Sequence, residues 1–371
     1  MIYNYVAPCH FGLEKTLTFE IKKIGAEDIR AENGRVFFSG GAEVCAQANV
    51  YLRTAERVCV VLGRLRAVTF DELFEGIRKL PLSEFIGKTD QFPNNGHSLN
   101  SKLSSVPAVQ KIVKKAMAVN LGKAYGVNVL HESGALCQIR FSLMKDEFTL
   151  MLDTSGQGLH KRGYRRESNA APIRETLAAG IVDIARVREG DVICDPFCGS
   201  GTLLIESAMK ALDIAPGLNR HFAGEHMKFL PDRVWAEARE EARSLIKKDG
   251  ELRAVGFDID KECVELTLAN AKKAGVGEYV TAERRDIREF GFPENTVKII
   301  TNPPYGERML EISEAREIYK IMGERFLPLN GNQLYAITPD EEFESIFGAK
   351  ADKNRKLYNG MMMCRLYSYF R

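Results

Sequence analysis

The chain is expected to be an α/β protein: an open, mainly parallel sheet with helices on both faces in its second half, preceded by smaller α+β units. Three observations lead there. Beyond residue 190, short apolar runs alternate with helical stretches, the pattern of parallel strands joined by crossover helices. Ahead of residue 160, helix-period and strand-period segments mix at short range with no internal repeat. Between the two lies a glycine-rich break, Ser155-Gly156-Gln157-Gly158, and then a dense basic stretch, Leu159-His160-Lys161-Arg162-Gly163-Tyr164-Arg165-Arg166. Such a break marks a boundary. With 45% apolar and 27% charged residues over 371 positions, the chain can fill ordinary cores, and at about 150 residues per domain it divides into two or three.

The first half begins with a strand, Tyr3–Ala7, and a helix from Gly12-Leu13-Glu14 whose apolar stripe is Leu13, Leu17, Ile21 and Ile24. Alternation predicts strands at Ile29–Ala31 and Arg35–Phe38, then a helix Gly41–Leu52 and a strand Arg57–Arg66. A helix at 69–80, a strand at 83–88 and a basic helix, Val106–Tyr125, follow. Strands Leu136–Met144 and Glu147–Thr154, split by the turn pair Lys145-Asp146, close the half. In the second half the strands are Val192–Cys194, Ala254–Phe257, Val280–Glu283, Val297–Thr301, Gln333–Thr338 and Met361–Tyr369. The expected division is a first α+β unit at 1–60, a second at 61–158, a linker at 159–170 and the large domain at 171–371.

Composition narrows the function. No window approaches the roughly 18 consecutive apolar residues of a membrane span, and the start lacks the basic and apolar regions of a secretory leader. Eight scattered cysteines without a Cys-x-x-Cys pair argue for small buried residues in a reducing cytoplasm. They also argue against a zinc site, and the six histidines do not repair that. No metal is expected. The formal charge of +2 is unevenly spread. Residues 101–174 hold twelve Lys/Arg against five acids, a surplus of seven that leaves the rest at −5. A basic segment in a nearly neutral protein suits a polyanion, through counterion release. Charge alone equally describes a solvated helix face.

The chemistry lies in the second half. Its first strand runs into Asp195-Pro196-Phe197-Cys198-Gly199-Ser200-Gly201-Thr202 and then a helix, so backbone passes close to a ligand at a helix N-terminus. The third glycine of the dinucleotide fingerprint is missing and no Walker loop is present. Asp258 closes the second strand, where a carboxylate can accept both hydroxyls of a ribose, and Asp286 follows the third; either could instead cap a helix. The fourth strand ends in Asn302-Pro303-Pro304-Tyr305-Gly306-Glu307-Arg308. Two prolines stiffen the backbone around Asn302. Its side-chain oxygen and a nearby carbonyl then make two fixed acceptors, which match the two N–H donors of a planar exocyclic amino group. Tyr305 can stack on the base.

In this order the motifs resemble a class I S-adenosylmethionine-dependent methyltransferase acting on amino nitrogens. The resemblance extends upstream to a THUMP RNA-binding domain behind a ferredoxin-like unit. Cys9-His10-Phe11-Gly12-Leu13-Glu14, the Leu159–Arg165 stretch, Ile214-Ala215-Pro216-Gly217 and Asn359-Gly360 are similar to landmarks of the RlmL-like and YpsC-like subgroup, which makes N2-methylguanosine in 23S ribosomal RNA. The fold implied is a Rossmann-like methyltransferase sheet behind ferredoxin-like and THUMP modules. The resemblance implies that Asp195, Phe197, Cys198, Gly199, Gly201 and Thr202 cradle the methionine moiety. Asp258 with Ile259 would hold the ribose, Asp286 with Ile287 the adenine, and Asn302, Pro303, Pro304 and Tyr305 the target base, Asn302 also bordering the cofactor. S-adenosylhomocysteine would be the product. RNA would bind through Lys111, Lys114, Lys115, Lys161, Arg162 and Arg165, the last three either facing RNA or packing the module interface. No protein partner is required. The chain departs from the longest members, which carry a second fused methyltransferase, and it has an insertion near 213–250. A transfer-RNA guanine-N2 methyltransferase, or a non-catalytic RNA-binding assembly factor, is the alternative.

Overall fold

A computed structural model describes residues 1–165, 173–291, 297–306, 312–360 and 362–370. The first seven strands form one sheet: β1 (Tyr3–Pro8), β2 (Glu27–Glu32), β3 (Arg35–Gly40), β4 (Cys59–Arg66), β5 (Asn94–Leu99), β6 (Ile139–Met144) and β7 (Glu147–Asp153), in the order β2-β3-β1-β4-β7-β6-β5. Helices α1 (Glu14–Lys23), α2 (Ala42–Tyr51), α3 (Phe70–Ile77) and α4 (Val106–Tyr125) bury their apolar residues against one face, where Tyr5, Phe38, Val60, Phe141 and Leu150 meet Leu17, Cys45, Leu73 and Val113. Strand β4 runs through position 60 and is shared: Val60 pairs with Tyr5 of β1, while Cys59 to Arg66 pair with β7. The two expected α+β units are therefore hydrogen-bonded into a continuous sheet.

Two elements of the first sheet differ from expectation. Residues 83–88 do not form a strand; a 3-10 turn at Leu82–Glu84 buries Leu82 and Ile86 in the core instead. The missing strand is β5, whose sequence Asn-Asn-Gly-His-Ser-Leu has no apolar alternation. An edge strand paired on one side only needs none. Its Gly96 opposes Phe141, and a Cβ there would lie 2.1 Å from the Phe141 carbonyl oxygen.

The second sheet holds β8 (Val192–Asp195), β9 (Arg253–Asp258), β10 (Val280–Arg284), β11 (Lys298–Thr301), β12 (Gln333–Thr338), β13 (Lys353–Asn359) and β14 (Met362–Phe370). Their order is β10-β9-β8-β11-β12-β14-β13, with the first five parallel and β14 antiparallel to both neighbours. Helices α5 (Glu175–Ile184) and α6 (Thr202–Ala211) cover one face with Leu177, Ile181 and Leu204, joined by Ala271 of α8 (Lys261–Lys273). On the other face, α9 (Ile312–Phe326) and α10 (Phe343–Phe347) bring Tyr319, Met322 and Phe343 against Ile299 and Leu334. Strand β13 was not foreseen because Lys-Asn-Arg-Lys-Leu-Tyr-Asn is a polar edge. All eight cysteines are buried, and none forms a disulfide. No described helix is long and apolar enough to cross a membrane.

The insertion after α6 joins the halves. Its helix α7 (Asp232–Ser244) packs on α2, and Trp235, Phe222, Leu230 and Ala238 belong to the core of the first sheet. Phe229 meets the rings of Tyr3 and Phe85, while Gly217 donates its N–H to the Val50 carbonyl at 2.9 Å. From the opposite direction, Leu13 is part of the second domain's core, against Gly180. At the same junction His10 lies 3.0 Å, His160 3.3 Å and Arg174 3.2 Å from Glu56. Burial pushes the Glu56 carboxyl up, but the hydrogen bonds of His10, His160 and Thr176 outweigh it and hold the group well below the usual carboxylate range.

Candidate active site

The strand order reverses between β8 and β11, and ligand sites of open α/β sheets lie beyond the carboxyl ends of strands at such a switch point. Asp195 ends β8 and Asn302 follows β11 directly. A buried bond ties the two ends together: Thr301 Oγ1 donates to Asp195 Oδ1 at 2.7 Å, and Phe197 N donates to the same oxygen at 3.1 Å. Burial pushes the Asp195 carboxyl up to about 7, against the pull of these two donors.

Between Asp195 and α6 the chain turns through two left-handed glycines, Gly199 (φ +52°) and Gly201 (φ +80°), conformations that side chains with a Cβ rarely adopt. A Cβ on Gly201 would stand 2.8 Å from Thr267 Cγ2, whereas one on Gly199 would stand in open space. The loop is thus packed on one side and open on the other. Helix α8 braces it, with Thr267 Oγ1 donating to the Gly199 carbonyl at 2.9 Å and Asn270 Nδ2 to the Ser200 carbonyl at 3.0 Å. No described side chain caps the N-terminus of α6 at Gly201, so its first N–H groups remain available to a ligand.

Asp258 accepts from Gly199 N at 2.9 Å and from Asp260 N at 3.0 Å. Its half-buried carboxylate is held at the loop with lone pairs to spare, and burial raises its pKa. Ile259 beside it is exposed. Asp286 takes the helix-cap role: it accepts from Arg288 N at 2.8 Å and pairs with the Arg288 guanidinium at 3.0 Å. Ile287 is buried with Phe257 and Phe290, which turns its side chain into the core. Cys198 is buried too, and its thiol accepts from Thr267; only its backbone borders the loop.

Asn302 is half-buried, and its carboxamide makes no hydrogen bond with another described residue. The Pro304 carbonyl is already engaged. It accepts from the Tyr319 hydroxyl at 3.1 Å, and that hydroxyl also meets Thr338 Oγ1 at 3.0 Å. Of the two proline carbonyls, the one at Pro303 is the acceptor left to accompany the Asn302 side chain. Tyr305 follows, half-buried. Glu307, Arg308 and Arg166 lie outside the described residues, as does the expected domain start at 171. Sequence reasoning missed Thr301, Thr267, Asn270, Tyr319 and Thr338. Single polar residues inside elements carry no periodic signal, and only their partners reveal them.

The basic residues separate into two groups. Arg162 is not available to RNA: its side chain is 1% exposed and donates to Glu206 Oε1 at 3.3 Å and to the carbonyls of Leu159 and Arg53 at 2.7 and 2.5 Å. A fully buried Glu206 on α6 requires that counter-charge. Arg165 also turns inward, donating to Thr202 Oγ1 at 2.5 Å and the Ile173 carbonyl at 3.1 Å, beside Glu175. Lys114 is a strut, paired with Glu132 at 2.5 Å and 3.5 Å over the Phe92 ring. Lys111, Lys115 and Lys161 face solvent.

Known proteins agree with this architecture. Residues 4–59 match the RlmL ferredoxin-like domain, 67–153 the THUMP domain, and 162–368 the RMKL-like methyltransferase domain. The chain is 39% identical to YpsC of Bacillus subtilis, assigned as an RNA methyltransferase, over 99% of this chain and 96% of that one. It spans half the length of the ribosomal RNA large subunit methyltransferase K/L of Psychromonas ingrahamii, with 33% identity over 99% of its own residues. A possible methylase from Clostridium difficile 630 superposes with a TM-score of 0.96 at 41% identity, covering 100% of this chain and 98% of that one. A further relative, solved as a complex with S-adenosylhomocysteine, superposes with a TM-score of 0.92 at 38% identity, covering 100% and 98%. The chain belongs to the RlmL-like family of S-adenosylmethionine-dependent methyltransferases, with a ferredoxin-like unit and a THUMP domain ahead of the methyltransferase domain.

Proposed function

We propose that the protein methylates the exocyclic N2 amino group of a guanosine in RNA, in 23S ribosomal RNA. The observation that carries this reading is the unengaged Asn302 carboxamide on a proline-stiffened strand end, hydrogen-bonded through its neighbour Thr301 to the cofactor loop at Asp195. The large-subunit ribosomal RNA methyltransferases among the relatives support the substrate class.

The residues present fit S-adenosylmethionine: an open glycine surface, free N–H groups at the start of α6, and the Asp258 carboxylate for ribose hydroxyls. When bound, the cofactor supplies an electrophilic methyl on a sulfonium whose sulfur leaves as a neutral thioether. The Asn302 side-chain oxygen and the Pro303 carbonyl accept the two N–H donors of the target amino group. That draws the nitrogen lone pair out of conjugation with its ring and aims it at the methyl. Tyr305 stacks on the base. Because the acceptors belong to a stiff loop, much of the orientational search is already removed, a gain of several kcal/mol when alignment is good. The nitrogen becomes acidic only as the N–C bond forms, so no strong base is needed in the slow step and water can take the proton afterwards. A helical guanine must first leave its stack, at about a few kcal/mol, and binding of the flanking RNA backbone offsets this.

Gene deletion followed by mass spectrometry of ribosomal and transfer RNA nucleosides tests the reading. Loss of one N2-methylguanosine from 23S RNA is expected; an unchanged 23S profile rejects the target. With purified protein, Asn302→Ala should keep cofactor and RNA affinity but lose single-turnover methyl transfer, and full turnover in that variant would remove Asn302 from the chemistry.

A further inference from the structure

The helices of the first half all pack on one face of the seven-stranded sheet. The opposite face carries a separate small apolar strip, Val6, Phe37, Cys59 and Met151, to which no described helix contributes. Arginines lie over this strip. The guanidinium carbons of Arg30, Arg35 and Arg64 stand 5.4, 5.0 and 4.6 Å from the Phe37 ring centroid, and all three share one carboxylate, Glu32, at 3.3, 2.9 and 3.4 Å. One strand pair further across, Arg57 and Arg140 share Asp153 at 2.6 and 2.7 Å. Five guanidinium groups against two carboxylates leave a surplus of three positive charges at the centre of the face. The acids Glu27 and Asp28 lie at the start of β2, where Asp28 accepts from Ser39 Oγ at 2.8 Å, and Glu147 stands in register opposite a further arginine, Arg66.

We infer that this face binds the sugar–phosphate backbone of the RNA flanking the target nucleotide. Covering an apolar strip needs only aliphatic stems, and it would not require three guanidinium groups on one carboxylate. Planar forks held by an aromatic ring and a fixed carboxylate are pre-set for phosphate, which they bind bidentately. The Arg30 side chain is 61% exposed and Arg64 is 32% exposed, so each has donors facing outward.

The position of the face relative to the chemistry agrees. Gly34, in the β2–β3 turn beside Glu32 and Arg35, sits on the Phe11 ring, and Phe11 meets Tyr358 of β13 at 5.6 Å between centroids. The β13–β14 hairpin rises at the carboxyl edge of the methyltransferase sheet, since Arg365 pairs with Thr338, the last residue of β12. Strand β13 is three places from β11, about 14 Å at the usual strand spacing. The turn that carries Glu32 and Arg35 thus abuts, through Phe11, the edge of the methyltransferase sheet that lies three strands from Asn302.

This inference rests on the RNA substrate reading, and the test separates the two. Deproteinised large-subunit ribosomal RNA is titrated with the full chain at several salt concentrations. Arg30→Gln/Arg64→Gln, both exposed positions, is compared with Lys111→Gln/Lys115→Gln on α4, and retention of calorimetric S-adenosylmethionine binding verifies folding. The arginine pair should lose about tenfold in affinity at 0.1 M salt, with a log–log salt slope shallower by about 1.4 to 1.8. The KM for RNA should rise at unchanged kcat. Wild-type binding with the arginine variant indistinguishable from it overturns the surface, and so does a loss confined to the lysine variant. Wild-type protein that binds no RNA overturns the substrate reading and this surface with it.

Discussion

Replacing Arg162 with Met keeps an unbranched stem of similar volume and removes the charged guanidinium. In the native protein this guanidinium donates to Glu206 and to two main-chain carbonyls, with 1% of the side chain exposed and none of Glu206. Removing one partner of a buried pair leaves the other charge uncompensated, at about 3–5 kcal/mol. Here the lower end is expected, because the Tyr164 hydroxyl still donates to Glu206 at 3.2 Å. The single tryptophan provides the assay. Trp235 stacks on Phe222, under Arg220, which donates to the carbonyls of Leu159 and Gln157 beside the pair. Its fluorescence therefore reports the module junction. In urea, Arg162→Met should move the Trp235 transition to lower denaturant, and Arg162→Met/Glu206→Met should recover most of the loss, since an apolar pair of similar volume replaces a buried ion pair at little cost. RNA affinity and its salt slope should not move in the double variant. An unshifted transition in the single variant, with a salt slope shallower by about 0.7 to 0.9, would refute the buried Arg162–Glu206 pair and return Arg162 to the RNA.

Three further outcomes are expected. Tyr319→Phe removes the donor to the Pro304 carbonyl while keeping the ring, so kcat for methyl transfer should fall with cofactor affinity unchanged and stability lower by about 1–2 kcal/mol; unchanged kcat would mean that the strand end holds its shape alone. Asp258→Ala should weaken S-adenosylmethionine at least about tenfold by calorimetry, roughly 1.4 kcal/mol, with Asp258→Asn intermediate because its single carboxamide oxygen keeps one of the two backbone donors, Gly199 N and Asp260 N, that bond different oxygens of the native carboxylate; equal affinities in all three would take Asp258 off the ribose. Burial raises the Asp195 carboxyl to about 7 in the folded protein, against about 4 when unfolded, so between these values the native state holds a proton the unfolded chain has released. The stability this group contributes is full below about pH 4 and is lost as pH rises to about 7. The wild-type minus Asp195→Asn difference in urea midpoint should fall across that window, and a rising difference would reverse the assignment.

Legibility in the sequence followed locality. The glycine loop and the Asn-Pro-Pro-Tyr strand end were readable because each needs special backbone: left-handed glycines at 199 and 201, and prolines that stiffen 302–304. Strands Val192–Asp195 and Gln333–Thr338 were readable because both of their faces are buried. Edge strands β5 and β13 were not, since half of each faces solvent and polar residues suffice there.

By itself, then, the sequence determined the order of the buried strands, the switch-point motifs and a positive charge surplus somewhere along the chain. Only the tertiary structure decided which charges are spent inside. Arg162 and Arg165 look no different from Lys161 along the chain, yet Glu206 and Thr202, some forty residues away, draw them inward, while Arg30, Arg35 and Arg64 from three strands gather over one ring. The insertion that looked like an appendage carries Trp235 into the other module's core. Burial and charge compensation are sums over neighbours in space, and the fold alone supplies the neighbours.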